Sequence, residues 1–359
     1  MAHVANITIQ SSKVPGDLTD FVVNVDLSDL GAPFWNTVAN GGGDIRVYKD
    51  DGVTELPREV VFCDTATDTG ELHFKYTGTL SSSSDTIVKI HADGVSSDYA
   101  PSATYGRENV WTNNVIGAWH HEETSGNIVD SSFNGISLTR TGPTSVAGAL
   151  SGNGSDFDGT DDYFNSGTGV SVLNNLTGDF TFSFWLKRNN SSTLSSDEFI
   201  FAKRTVTGGN NEQWSMRLDK GATASHAELV FNCYSGGWRN VPLGPTITDT
   251  NWHHIVLKHD DTSTLECYKD GVSSGTIGYT HGITSFTNSM FKGRDGANGN
   301  PRYADIELDE FRIFDTLLSD DYIVADYNNQ NDTSTFYTVT DISGATLSTT
   351  KPMQPIWFF

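Results

Sequence analysis

The sequence predicts an all-β chain built as two domains and a short tail, and three observations predict it. Hydrophobic residues are 36% of the chain and Gly fills 35 positions, with Ser and Thr abundant. That is the composition of many short strands joined by polar turns, not of a helical bundle. Short segments alternate polar with apolar residues, and strong turn signals separate them. At 359 residues the chain is long enough for two domains, each burying its own core.

The first domain spans residues 1–108. Phe21-Val-Val-Asn-Val-Asp-Leu27 alternates in part, Asp44-Ile-Arg-Val-Tyr48 and Glu71-Leu-His-Phe-Lys-Tyr76 alternate fully, and Thr86-Ile-Val-Lys-Ile90 follows. Each such strand has one face for a core and one for water, as in an antiparallel sandwich. Asn40-Gly-Gly-Gly43, Asp50-Asp-Gly52, Asp68-Thr-Gly70 and Ser81-Ser-Ser-Ser84 supply the turns. Residues 95–110 carry no periodicity and read as the linker.

The second domain covers 109–329. Phe180, Phe182 and Phe184 share one strand face, with Thr181, Ser183 and Trp185 on the other, so both faces can pack. Tyr268-Lys-Asp-Gly271 reads as a hairpin turn. Ser319 is placed to cap a short helix, with Asp320 and Asp321 near its positive end and Ile323 and Tyr327 on one face. Residues 330–359 form a tail: a polar spacer, a strand at Phe336-Tyr-Thr-Val-Thr-Asp-Ile342, and the apolar end Pro355-Ile-Trp-Phe-Phe359. An apolar terminus is costly to leave in water, so it is expected to dock on the first domain or on a neighbouring subunit.

Charge and cysteines narrow the function. Against 22 basic residues stand 45 acidic ones, a net −23, which repels phosphate backbones and argues against nucleic acid as a partner. Such a balance fits a protein kept in solution by its charge, or one that binds hard cations. No apolar stretch approaches about 18 residues, so no membrane helix is expected. Cys63, Cys233 and Cys267 have no metal-type spacing. A Cys233–Cys267 disulfide is one reading; buried reduced thiols are the other. The start, Met1-Ala-His-Val-Ala-Asn-Ile-Thr-Ile-Gln10, shows neither a basic nor an apolar leader region, and folding in the cytoplasm is expected from it.

Several motifs recur in a fixed order along the second domain. They run Gly117-Ala-Trp-His-His-Glu-Glu123, Ile128-Val-Asp-Ser-Ser-Phe-Asn-Gly135, Phe157-Asp-Gly-Thr-Asp-Asp-Tyr-Phe164 and Phe180-Thr-Phe-Ser-Phe-Trp-Leu-Lys187. Trp252-His-His-Ile-Val-Leu-Lys258, Cys267-Tyr-Lys-Asp-Gly271, Ile306-Glu-Leu-Asp-Glu-Phe-Arg-Ile-Phe314 and Leu318-Ser-Asp-Asp-Tyr-Ile-Val-Ala-Asp-Tyr327 follow. Together they resemble the laminin-G-like, concanavalin A-like jelly-roll family, which implies two packed antiparallel sheets. The first domain resembles a bacterial and phage domain of unknown function often found beside jelly-roll lectin domains. That likeness rests on Leu18-Thr-Asp-Phe-Val-Val23, Gly43-Asp-Ile-Arg-Val-Tyr48, Asp51-Gly-Val-Thr-Glu-Leu-Pro57 and Thr86-Ile-Val-Lys-Ile90. Where that pattern ends a strand in Tyr-Gly, this sequence has Ile90-His-Ala-Asp-Gly94.

The jelly-roll resemblance implies candidate sites. Many members hold one Ca²⁺ at the sandwich rim, so Asp158, Asp161 and Asp162, joined by Asp309, are expected to ligate calcium, or else to shape the turn. Glycan binding implies rim aromatics and amides. Trp214, Tyr234, Trp238 and Arg239 have that character, with core packing as the alternative for the tryptophans. Jelly-roll glycosidases need paired carboxylates about 5–5.5 Å apart. Strict alternation puts Glu307 and Asp309 on one face, brings Phe311 next and turns Glu310 away, so no catalytic set is expected. Two Trp-His-His triplets, at 119–121 and 252–254, place adjacent His residues on opposite faces, which suits structural roles. The expected protein is a non-enzymatic, adhesive component of a virion (phage tail, fibre or capsid decoration). A glycan or host-surface ligand and other virion subunits or a homo-oligomer through the tail are its expected partners. A cell-surface or secreted bacterial lectin is the alternative; a glycoside hydrolase is disfavoured.

Overall fold

A computed structural model of the chain describes residues 3–112, 114–204, 212–221, 227–234, 238–261, 263–279, 281–296 and 301–342. The all-β architecture expected from the sequence is the one observed: two sandwiches, every strand pair antiparallel. In the first, a five-stranded sheet runs in the order Tyr337–Asp341, His3–Ile9, Thr86–Ala92, Arg46–Lys49, Glu55–Leu56. It packs on a three-stranded sheet of Leu18–Asp26, Thr69–Leu80 and Arg58–Asp64. Alternate residues such as Ile7, Val23, Val25, Leu72, Phe74, Val88 and Ile90 make its core.

The second sandwich pairs an eight-stranded sheet with a seven-stranded one. The central strands of the larger sheet are Asn153–Asp158, Asp305–Phe314, Phe180–Arg188 and His253–His259. The smaller sheet includes Trp238–Thr246, Glu228–Tyr234, Glu212–Asp219 and Glu198–Arg204. Phe180, Phe182 and Phe184 enter the core between them, as alternation predicts, with Phe201, Trp214, Phe231 and Phe311. Fully burying side chains of this size contributes roughly 1.5–3 kcal/mol each. On the opposite face Thr181, Ser183 and Trp185 bond to Thr316 O, His254 and Gln330. Asp270 and Gly271 both take positive φ (53° and 73°), the paired left-handed geometry of a tight hairpin.

Ser319 caps the helix Asp320–Asn331, its side chain accepting from Tyr322 N at 3.1 Å. This helix lies between the sandwiches. Ile323 packs with Val256 and Tyr268 of the second, while Ala325 joins the core of the first. The boundary expected at 329/330 falls inside it. Beyond the helix, Phe336 enters the first core and Tyr337–Asp341 pairs with His3–Ile9, so the first sandwich is completed from the far end of the chain. The apolar end at 352–359 lies outside the described residues. All three cysteines are free and buried, which removes the Cys233–Cys267 disulfide.

The sandwiches meet face to face. The three-stranded sheet of the first turns its second face toward Asp305–Phe314 of the other, so Glu71, His73 and Lys75, expected to be wet, are buried. Val22, Val110, Trp111, Val115, Ala118 and Phe314 seal an apolar patch at the same junction.

Candidate functional site

The outer face of the seven-stranded sheet carries a groove of about 410 Å³, lined by Asp197, Phe199, Arg204, Glu212, Arg217, Asn232, Asn240 and Arg302. Strand alternation creates it. Met216, Leu218, Phe231 and Cys233 point into the core, so Arg217 and Asn232 between them point out. Every guanidinium here has a carboxylate partner. Arg204 lies 3.4 Å from Asp295, Arg217 lies 2.6 Å from Asp219, and Arg302 lies 3.0 Å from Asp197. Arg217 also donates to the side-chain carbonyls of Asn232 and Asn240. Burial holds the Glu212 carboxyl above its usual range, and its side chain accepts from Ser215 Oγ. The result is a wall of fixed donors and acceptors with its charges already matched.

The residues expected to bind glycan separate. Trp214 is fully buried and packs edge-on to Phe182 at 5.0 Å in the core, so it is a packing residue, not a sugar platform. Its strand register is the reason, since Trp214 shares a face with Met216 and Leu218. Tyr234 lies two residues from Asn232 along Glu228–Tyr234 and pairs with Trp238, on the groove side of the sheet. The Trp238 side chain lies outside the described residues. Arg239 pairs with Cys233, whose side chain is in the core, so it falls on the face opposite Tyr234.

The acidic turn after Asn153–Asp158 does gather its carboxylates. Ligand oxygens of Asp158, Asp161 and Asp162 lie within 4.8 Å of one another, with Asp158 and Asp161 exposed and Asp162 buried. Asp158 N donates to Asp162 Oδ2 at 3.1 Å and Thr160 N to Asp158 Oδ1 at 2.8 Å. Burial, with the charges of Asp158, Asp161 and Asp156, raises the Asp162 carboxyl above its usual range despite the Asp158 N–H. A hard cation would relieve that crowding. Asp309 is not part of the set. The antiparallel register places Asp305 opposite Asp158 and Leu308 opposite Ser155, leaving Asp309 further along its strand. There its Oδ2 accepts from Ala149 N at 2.8 Å and Leu150 N at 3.4 Å.

The strand Asp305–Phe314 overturns the alternation drawn from sequence. Glu310 has φ +47°, and the register against Phe180–Arg188 shifts at this point, inserting one extra residue. Ile306 and Leu308 face the core before this bulge, Phe311 and Ile313 after it. Phe311 therefore points inward, stacked on Phe184 at 5.2 Å, and Glu310 turns out on the same side as Glu307 and Asp309. The adjacent pair does not open to solvent, because the first sandwich covers it and both residues are 2% exposed.

Beneath that cover lies a buried polar network that no single-strand pattern announces. His120 Nδ1 is 2.5 Å from Glu310 Oε1, and its Nε2 is 3.1 Å from Glu59 Oε2. His73 Nε2 is 2.8 Å from Glu71 Oε1, and Arg312 Nη2 donates to Glu310 Oε2 at 2.5 Å. Burial opposes charge throughout, and pairing decides the outcome. The Glu310 and Glu59 carboxylates outweigh it and hold His120 well above the usual imidazole range. His120, with bonds from Ser131 and Trp111, overcomes burial and holds Glu59 down at about 2. Burial and the Glu310 charge push Glu71 well up, while burial brings His73 down to about 3. A cleft of about 330 Å³ reaches this network from the surface, with Arg58, Glu59, Tyr99, His120, Glu122 and Ser131 in its lining. His121, next to His120, points into the second sandwich, toward Ser155 and Lys292. His254 instead meets Ser183 Oγ at 2.9 Å, and His253 meets Asp270 at 2.7 Å, a split that follows from alternation along His253–His259. His120 and His121, by contrast, follow the strand Val115–Trp119 and diverge with His121 at φ +61°.

Comparison with known proteins places one part of the chain in a family. Residues 157–324 match the model of the concanavalin A-like lectin/glucanases superfamily, Laminin_G_3, and this segment is such a domain. Solved structures similar to the chain include botulinum neurotoxin type C, described as entering cells through interaction with two ganglioside molecules. It has TM-score 0.48 and 14% identity over 61% of this chain and 52% of that one. The binding domain of botulinum neurotoxin DC in complex with rat synaptotagmin II gives TM-score 0.47 and 14% identity over 60% and 52%. The same domain with SialylT gives 0.46 and 14% over 61% and 52%. This chain spans about half the length of those structures. No curated protein matches the sequence.

Proposed function

We propose that this protein binds hydroxyl-rich glycans, without cleaving them, in the groove on the outer face of the seven-stranded sheet. The observation that carries this reading is the lining itself. Arg204, Arg217 and Arg302, each already paired with a carboxylate, stand among Asn232, Asn240 and Glu212. Fixed donors and acceptors without a net local charge suit vicinal hydroxyls better than an anion. The superfamily match, to lectins and glucanases, is in keeping with a sugar ligand. The non-catalytic part of the reading rests on the burial of Asp309 and Glu310, which keeps those carboxylates from a polymer substrate. A glycan array tests it: binding to a subset of neutral glycans is expected, with no release of reducing sugar. Absence of binding to every neutral glycan overturns it.

The reading extends to calcium and to location. Ca²⁺ is proposed at Asp158, Asp161 and Asp162, supported by their convergence in one turn. The protein is proposed to sit on a virion as an adhesive structural component meeting a host-surface glycan, with a secreted or cell-surface lectin as the alternative. Two sandwiches fixed by a buried interface would give such a component a rigid mount. Immunogold labelling of purified particles separates the two locations.

A further inference from the structure

We propose that Glu71, His73, His120 and Glu310 form a closed, structural zinc site that joins the two sandwiches. Two ligands come from each side of the junction. Glu71 and His73 lie on Thr69–Leu80 of the first sandwich, Glu310 on Asp305–Phe314 of the second, and His120 just after Val115–Trp119. One ligand atom from each lies within 4.8 Å of all the others. Three His–Glu separations in this set are 2.5, 2.8 and 3.8 Å, and His73 Nε2 lies 3.8 Å from the other Glu310 oxygen, the one Arg312 holds. The three bracket the ligand–ligand edge of roughly 3.3 Å that tetrahedral zinc requires with bonds of about 2.0–2.2 Å.

The surroundings are those of a metal centre as well as of an ion-pair network. His120 turns its second nitrogen to Glu59, at 3.1 Å, the carboxylate–histidine arrangement that orients metal-bound imidazoles. Glu59 is itself fixed by Ser131 Oγ, donating at 2.5 Å, and by Trp111 Nε1. Arg312 holds the second oxygen of Glu310, leaving its first toward the centre. Two imidazoles among four ligands disfavour Ca²⁺ and Mg²⁺, which seek oxygen, and four protein ligands suit zinc held for structure. The bulge at Glu310 has a purpose in this arrangement, because without the extra residue the carboxylate would face the core. The cleft at Glu59, His120 and Ser131 supplies a route for the ion.

The test uses the full chain, stripped with a chelator and then given zinc chloride alone. Retention of one zinc per chain after dialysis is expected, with a raised melting temperature. Cobalt(II) in its place is expected to give the visible absorption of a tetrahedral site. His73→Gln and Glu71→Gln, checked for folding by circular dichroism, are expected to lose that retention, whereas Asp161→Asn keeps it. Zinc retention far below one per chain, a six-coordinate cobalt spectrum from the unmutated protein, or full retention in both variants overturns the proposal. The cobalt spectrum decides the matter even where a variant fails to fold.

Discussion

The imidazoles of His73 and His120 stack across the junction of the two sandwiches, ring centroids 4.9 Å apart and planes 23° from parallel. Trp111 sits against both rings, 5.3 Å from one and 5.4 Å from the other, and the Arg312 guanidinium lies 4.8 Å over the indole. The junction is thus a packed polar core, and its members depend on one another.

Arg312 pairs with Glu310 at 2.5 Å and with Asp326 at 3.2 Å, all three buried. Arg312→Met leaves two carboxylates without their cation and should cost about 3–5 kcal/mol. Denaturant unfolding checks this; a loss under about 1 kcal/mol, the scale of an exposed pair, would show the network to be incidental.

Trp214→Ala should cost about 3–5 kcal/mol through the cavity it leaves among Phe182, Phe201 and Met216. Thermal unfolding measures it. A variant of unchanged stability that lost sugar binding would return Trp214 to the ligand site.

Asp158→Asn combined with Asp161→Asn should abolish any rise in melting temperature brought by millimolar Ca²⁺. Differential scanning calorimetry with and without the ion reads it. An equal rise in the variant would place the ion elsewhere.

Lys203 is fully buried, donating to Phe286 O at 2.6 Å and Asn288 O at 2.8 Å, and burial lowers its pKa from 10.5 to about 7. The unfolded chain binds this proton more tightly, so the penalty is complete below pH 7 and fades as pH rises toward 10.5. Stability relative to Lys203→Met should therefore increase between those limits. Parallel stability curves for the two proteins would contradict it.

The legible parts of the fold were those written locally. The Phe180–Phe184 alternation, the Asp270-Gly271 turn and the Ser319 cap each depend on a few neighbouring residues, and each stands as read. The illegible parts depend on what lies across the sheet. Glu71 and His73 alternate like a solvated face, and only the second sandwich makes that face interior. Glu310 carries no residue-type signal for positive φ, so strict alternation pointed it and Phe311 the wrong way. Asp309 stands apart from the acidic turn for a related reason, and Trp214 takes the core position that is the alternative to sugar binding, since register rather than composition decides which neighbours a strand residue meets.

The groove beside Asn240 is the centre of the functional reading, and Asn240 is exposed on its wall. A glycan selected on the array, titrated calorimetrically into the unmutated protein, Asn240→Ala and Asn240→Trp, tests that reading most directly. Removing the amide should weaken binding several-fold, in line with about 0.5–1.5 kcal/mol for a hydrogen bond, and the bulky indole should abolish binding with stability unchanged. Equal affinity in all three proteins would contradict the assignment of this groove as the glycan site.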